Sequence, residues 1–156
     1  IYGPCAGMAM GLALSADLTL VADTAYFLLP FVGIGLLPDA GTTALVPAAI
    51  GRTRAMGMAL LGNRIYGPEA LAAGMVTAVH PAEELDGAVA AAAAKLAAGP
   101  REAIAATKRA VNASTLAGLD DALRRETESQ VILLKTDDHR EGVDAMLGKR
   151  PARFTD

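Results

Sequence analysis

The chain has 156 residues, 53% of them hydrophobic and 20% charged, with a formal net charge of −3 and a mean hydropathy of +0.35. An apolar share of that size excludes disorder, because burial offsets the entropy of ordering, and a net negative charge speaks against a nucleic-acid surface, which needs clustered cations. The single cysteine, Cys5, excludes an internal disulfide and a cysteine-based metal cluster and points to a reducing, cytoplasmic setting.

The first charged residue is Asp17, so the opening carries no basic region of the kind a signal peptide needs. The opening apolar run is also too short for a membrane span and is broken by Gly3, Pro4, Gly7 and Gly11. A chain that opens on Ile1 in such sequence reads as the rear part of a larger protein. Residues 8–16 read as a short apolar helix entered from a glycine turn, and 18–22 and 26–29 as short buried strands. A loop over 31–43 is marked by Gly33, Gly35, Pro38 and Gly41, and a brief helix follows over 44–49.

A second part runs from Arg52 onward and is alanine-rich, charged and mainly helical. It has a helix over 53–60 stopped by Gly62, a helix entered at Pro68 and closed by Gly74, and a strand over 75–79. Helices over 83–98 and 101–111 come next. Leu116, Leu119 and Leu123 then share one helical face, which Gln130, Val131 and Leu134 continue. Asp120 and Asp121 suit the positive end of that helix. The division is therefore 1–51 and 52–156.

Few polar groups fall in apolar surroundings. The two histidines, His80 and His139, form no HxxxH pair, so no metal site is expected, and neither a GxSxG elbow nor a GxxxxGK phosphate loop is present. Cys5 reads as a buried, inert thiol. Residues Gly3 to Gly7 form a glycine turn feeding a helix, whose first N–H groups are free to hold an oxyanion, or the segment is a tight turn only. Asp39 has two readings. A carboxylate on an otherwise apolar loop is desolvated, which favours service as a base near neutral pH, while an Asp just before a helix is also a common N-cap. Asp17 and Asp23 read as turn or capping residues.

The ordered pattern Ile1-Tyr2-Gly3-x-x-x-Gly7, Ala16-Asp17, Asp23-x-Ala25-x-Phe27, Pro30, Gly35, Pro38-x-x-Gly41 resembles the enoyl-CoA hydratase/isomerase (crotonase) superfamily. The likeness continues through Gly51-x-x-x-Ala55, Leu61-Gly62, Glu69-Ala70, Gly74-Met75-Val76 and Glu141-Gly142-x-x-Ala145 to Lys149-Arg150-Pro151 and Phe154. It implies an α/β fold: a ββα spiral core, only its second half present here, followed by a C-terminal helical trimerisation region. Residues 1–51 would be the rear of the spiral, with the oxyanion turn and acyl-pocket loop, and 52–156 would complete the core and build a homotrimer or dimer of trimers.

The resemblance also implies an acyl-CoA substrate, carried as its thioester with no separate cofactor, and an enolate-like oxyanion held by two backbone N–H groups. One matches the N–H of Met8, beside Gly7; the other belongs to the family's N-terminal half. The two glutamates that hydratases place around the attacking water fall on Gly11 and Phe31, which disfavours hydration. Some isomerases carry their acid in the loop matching Pro38 to Gly41. The expected function is thus enoyl-CoA isomerase, with Asp39 as base and Phe31 and Leu36 in a dry acyl pocket. The alternatives are a non-catalytic acyl-CoA-binding or assembly subunit and an aryl-CoA dehalogenase with Asp39 as nucleophile. A tryptophan replaces Phe31 in the dehalogenases, and this chain has none. Lys108, Arg109, Lys149 and Arg150 are candidates for CoA phosphate, or ordinary surface cations. Met146 stands where relatives put an aromatic residue near CoA, or packs in the helical core.

Overall fold

The computed structural model describes residues 1–154. Strand β1 (Pro4–Ala6) leads through Gly7 into helix α1 (Met8–Leu14), and β2 (Leu20–Ala22) and β3 (Tyr26–Leu28) follow. β1 was expected as a turn. Proline lacks an N–H and is tolerated at the first residue of a strand, and the segment pairs parallel to β3 with Cys5 opposite Phe27. A two-residue strand β4 (Ile65–Tyr66) lies antiparallel on the other side of β3, with Ile65 opposite Phe27. β2 pairs parallel to β5 (Ala78–His80), Val21 opposite Val79.

The strand expected over 75–79 thus forms later, as β5. Gly74 takes a left-handed φ of 81°, the Met75 N–H donates to Ala70 O, and only at Thr77, whose N–H donates to Thr19 O, does the chain come alongside the β2 segment. Met75 and Val76 are buried before the strand begins.

The loop after β3 holds a 3-10 turn (Phe31–Ile34) and ends at α2 (Thr42–Ile50), longer at both ends than expected. Helices α3 (Arg52–Leu61), α4 (Gly67–Ala72), α5 (Leu85–Ala97) and α6 (Arg101–Thr115) lie close to their expected positions. α7 (Leu119–Leu133) and α8 (Asp137–Leu147) close the chain, α8 with the Thr136 hydroxyl accepting from the His139 N–H. Phe27, Met10, Val21, Val46 and Met58 lie in one buried cluster under the strands and α1 to α3. Full burial of each such side chain contributes about 1.5–3 kcal/mol.

The face of α7 turned to the protein differs from the expected leucine stripe. Its buried residues are Ala122, Glu126 and Gln130, spaced four apart, while Leu123, Val131 and Leu134 are exposed. The reason lies in what α7 packs against: a loop whose backbone polar groups need partners, which leucines do not supply. α8 packs on the 3-10 turn, where a Cβ on Gly142 would lie 2.5 Å from Ile34 Cα and one on Gly35 would lie 2.8 Å from the Asp138 carbonyl carbon. His139 Nδ1 donates to Ile34 O at 2.9 Å.

Candidate active site

Gly7 bends the chain from β1 into α1 with φ 59° and ψ −131°, its N–H donating to Leu28 O at 3.0 Å. A Cβ at Gly7 would meet the Phe31 ring at 3.7 Å, so the ring packs directly beneath the turn. Met8 opens α1, where an N–H has no intrahelical partner. Among the described residues no hydrogen-bond acceptor engages it. The Met8 side chain is 70% exposed.

Asp39 stands on the loop facing α1. The Thr42 N–H and hydroxyl both donate to Asp39 O, closing a four-residue turn in which Ala40 (φ 57°) and Gly41 (φ 78°) are both left-handed. The Asp39 side chain is half-buried and turns away from α2; its Oδ2 accepts from Gln130 Nε2 at 2.8 Å. The N-cap reading of Asp39 is thereby corrected. The carboxylate at the start of α2 is Glu126, whose Oε2 accepts from the Gly41 N–H at 2.7 Å and whose Oε1 accepts from the Thr43 N–H and hydroxyl. Helix starts favour a negative charge, and here it arrives from α7.

Two adjoining clefts meet at this point. One, of about 500 Å³, is lined by Met8, Gly11, Leu12, Leu45, Leu119 and Leu123 among others. The second, of about 350 Å³, is lined by Asp39, Glu126, Gln130, Val131 and Leu134. Met8, Ala40 and Leu123 line both, so the start of α1 and Asp39 border adjoining clefts. α1 reaches the Asp39 loop closely: a Cβ at Gly11 would fall 2.2 Å from Ala40 O. No side chain fits at that position without moving the loop.

Other expected residues lie elsewhere. Phe31 is in the core and Leu36 packs half-buried against that core, and neither lines either cleft. Lys108 pairs with Asp17 at 2.6 Å on the surface, and Arg150 holds Glu141 through both nitrogens, at 2.6 and 2.8 Å. Arg109 and Lys149 are exposed, as is Met146, and none of these five lines either cleft. Burial pushes the Cys5 thiol up, which keeps it protonated and a poor nucleophile. Sequence reasoning missed Glu126 and, though it placed Gln130 on the packed stripe, gave it no role; the available signal was their four-residue spacing opposite a glycine-rich loop with N–H groups to satisfy.

The family model described as enoyl-CoA hydratase/isomerase matches residues 1–156. The chain belongs to the enoyl-CoA hydratase/isomerase family. Among curated proteins it is 41% identical over 155 residues to a probable enoyl-CoA hydratase of Rhodobacter capsulatus, covering 99% of this chain and 60% of that protein. It is 38% identical to the 1,2-epoxyphenylacetyl-CoA isomerase of Escherichia coli, covering 99% of this chain and 59% of that protein. A solved enoyl-CoA hydratase from Mycobacterium avium subsp. paratuberculosis superposes with a TM-score of 0.96 at 50% identity, over 99% of this chain and 63% of that one. The chain thus spans about three fifths of the length of these relatives, and its fold is that of the crotonase superfamily within the enoyl-CoA hydratase/isomerase family. Among the described residues no helix is long and apolar enough to cross a membrane.

Proposed function

We propose that this chain carries the base and one oxyanion donor of an enoyl-CoA isomerase. The observation that carries the reading is that Asp39 and the start of α1 border two clefts that share Met8, Ala40 and Leu123. In the proposed reaction the carboxylate of Asp39 takes a proton from C2 of a 3-enoyl thioester. The electron pair of that C–H bond moves into a dienolate, its negative charge resting on the thioester oxygen. The Met8 N–H donates to that oxygen, and a donor fixed before the reaction begins stabilises charge at no reorganisation cost. Return of the proton from Asp39 to C4 gives the 2-enoyl product, so one carboxylate performs both transfers. Gly7 permits the turn that aims the Met8 N–H, and Phe31 and Leu36 form the apolar backing of the acyl site.

The relatives' names divide between hydratase and isomerase. Isomerisation is favoured by Gly11 and Phe31, which offer no carboxylate to activate water, and by the Ala40 carbonyl, which takes the space a side chain at Gly11 would need. A binding subunit would have no use for a carboxylate at an acyl pocket. Exposed Val131, Ile132, Met146 and Leu147 on α7 and α8 support assembly into a homotrimer or dimer of trimers, since such residues need cover. The reading is tested by turnover of trans-3-hexenoyl-CoA and crotonyl-CoA on one sample of the full-length protein. Shift of the double bond without hydration is expected; hydration without the shift overturns the reading.

A further inference from the structure

Both N–H groups of the Gln130 amide are engaged and its oxygen accepts one bond, and its orientation follows from these partners. The Leu37 N–H, which can only donate, lies 3.3 Å from Gln130 Oε1. That contact fixes Nε2 on the opposite side, where it donates to Leu37 O at 3.1 Å and to Asp39 Oδ2 at 2.8 Å. Gln130 is 9% exposed, and the helix carrying it also anchors the following residues of the loop through Glu126. An N–H held against Oδ2 occupies that oxygen whether Asp39 is ionised or protonated.

The geometry points to Gln130 as the positioning residue of Asp39, holding Oδ2 so that Oδ1 alone takes and returns the substrate proton. This inference rests on Asp39 being the isomerase base. Glu126 on α7 is the titratable group in the same cleft, and it is engaged by Gly41 and Thr43; Asp138 and His139 of α8 stand at the far end of the loop, against Ile34 and Gly35. A mobile carboxylate samples poses from which C2 and C4 cannot both be reached, and misplacement by about 1 Å costs up to about 100-fold in rate.

Two variants of the full-length protein test it with trans-3-hexenoyl-CoA. Gln130→Met keeps the shape and removes the donor; kcat falls by about 10-fold or more while KM changes little. Gln130→Glu puts a second carboxylate beside Asp39, and like charge disfavours ionisation, so the acid limb of the pH–rate profile moves to higher pH; an ionised Glu offers no donor to Oδ2, so the high-pH plateau stays below the wild-type kcat. Unchanged kcat in both variants, an unmoved acid limb in Gln130→Glu, or a return to wild-type kcat at high pH in that variant overturns the proposal. Asp39→Asn serves as the control that separates failures: if it retains turnover, the isomerase reading itself is wrong. A crystal structure of the wild-type protein with hexanoyl-CoA decides the point without substitution. Oδ1 facing C2, with the Gln130 bond to Oδ2 intact, supports it; Oδ2 turned to the acyl chain overturns it.

Discussion

Gln130 Nε2 donates to Asp39 Oδ2 at 2.8 Å across 91 residues of sequence. Four residues earlier on the same helix, Glu126 accepts from Gly41 and Thr43. The loop is thus held on both sides of Asp39, at Leu37 and at Gly41, by one face of α7, a helix far along the chain.

Asp39→Asn keeps the side chain's shape and removes the base. General acid–base catalysis contributes about 10²–10⁴-fold, so isomerase kcat is expected to fall by that order while hexanoyl-CoA affinity stays within a few-fold. Steady-state kinetics and titration calorimetry on the full-length protein check it, and retention of most turnover would exclude the single-base mechanism.

Glu126→Ala removes the acceptor of three donors at the start of α2, two of them backbone N–H groups. Thr43 is exposed and its donors can turn to water, so the buried-donor cost of about 1–3 kcal/mol falls on the Gly41 N–H. Urea unfolding is expected to show a loss of about 2 kcal/mol, with Glu126→Gln milder because its amide oxygen still accepts. A loss under 1 kcal/mol for the alanine variant would mean that the clamp contributes little.

Gly11→Ala places a carbon where Ala40 O now stands, 2.2 Å away. Overpacking of this kind costs about 1–3 kcal/mol. Because the displaced backbone adjoins Asp39, the variant is expected to lose isomerase kcat more than its stability loss explains. Thermal unfolding together with kinetics would show it; wild-type values in both would mean that α1 and the loop separate readily.

The Arg150 guanidinium bonded to Glu141, together with the Arg153 N–H, holds the Glu141 carboxyl down to about 2 from its ordinary 4.5. Below 4.5 the unfolded chain binds a proton at this group that the folded protein does not, so stability rises with pH there. The contribution is complete above 4.5 and is lost as pH falls through about 2. Comparing the wild type with Glu141→Gln by denaturant unfolding across that range should show a gap that closes toward the acid end; a gap independent of pH would contradict the pairing.

The family's ordered glycines and prolines, the strands around Val21 and Phe27 and the helices from α3 to α6 were all legible in the sequence, because they rest on local signals: turn chemistry and apolar periodicity. Three things needed the tertiary structure. β1 was read as a turn because a strand of three residues is decided by its partner β3 rather than by its own composition. The role of Asp39 in the fold was ambiguous because its side chain bonds to Gln130 rather than to the helix beside it. The inward face of α7 was misread because periodicity reports apolar residues, while the loop it meets needed acceptors and donors. Propensity and pattern act over a few residues, whereas satisfying a buried backbone polar group depends on whichever element the fold brings to it.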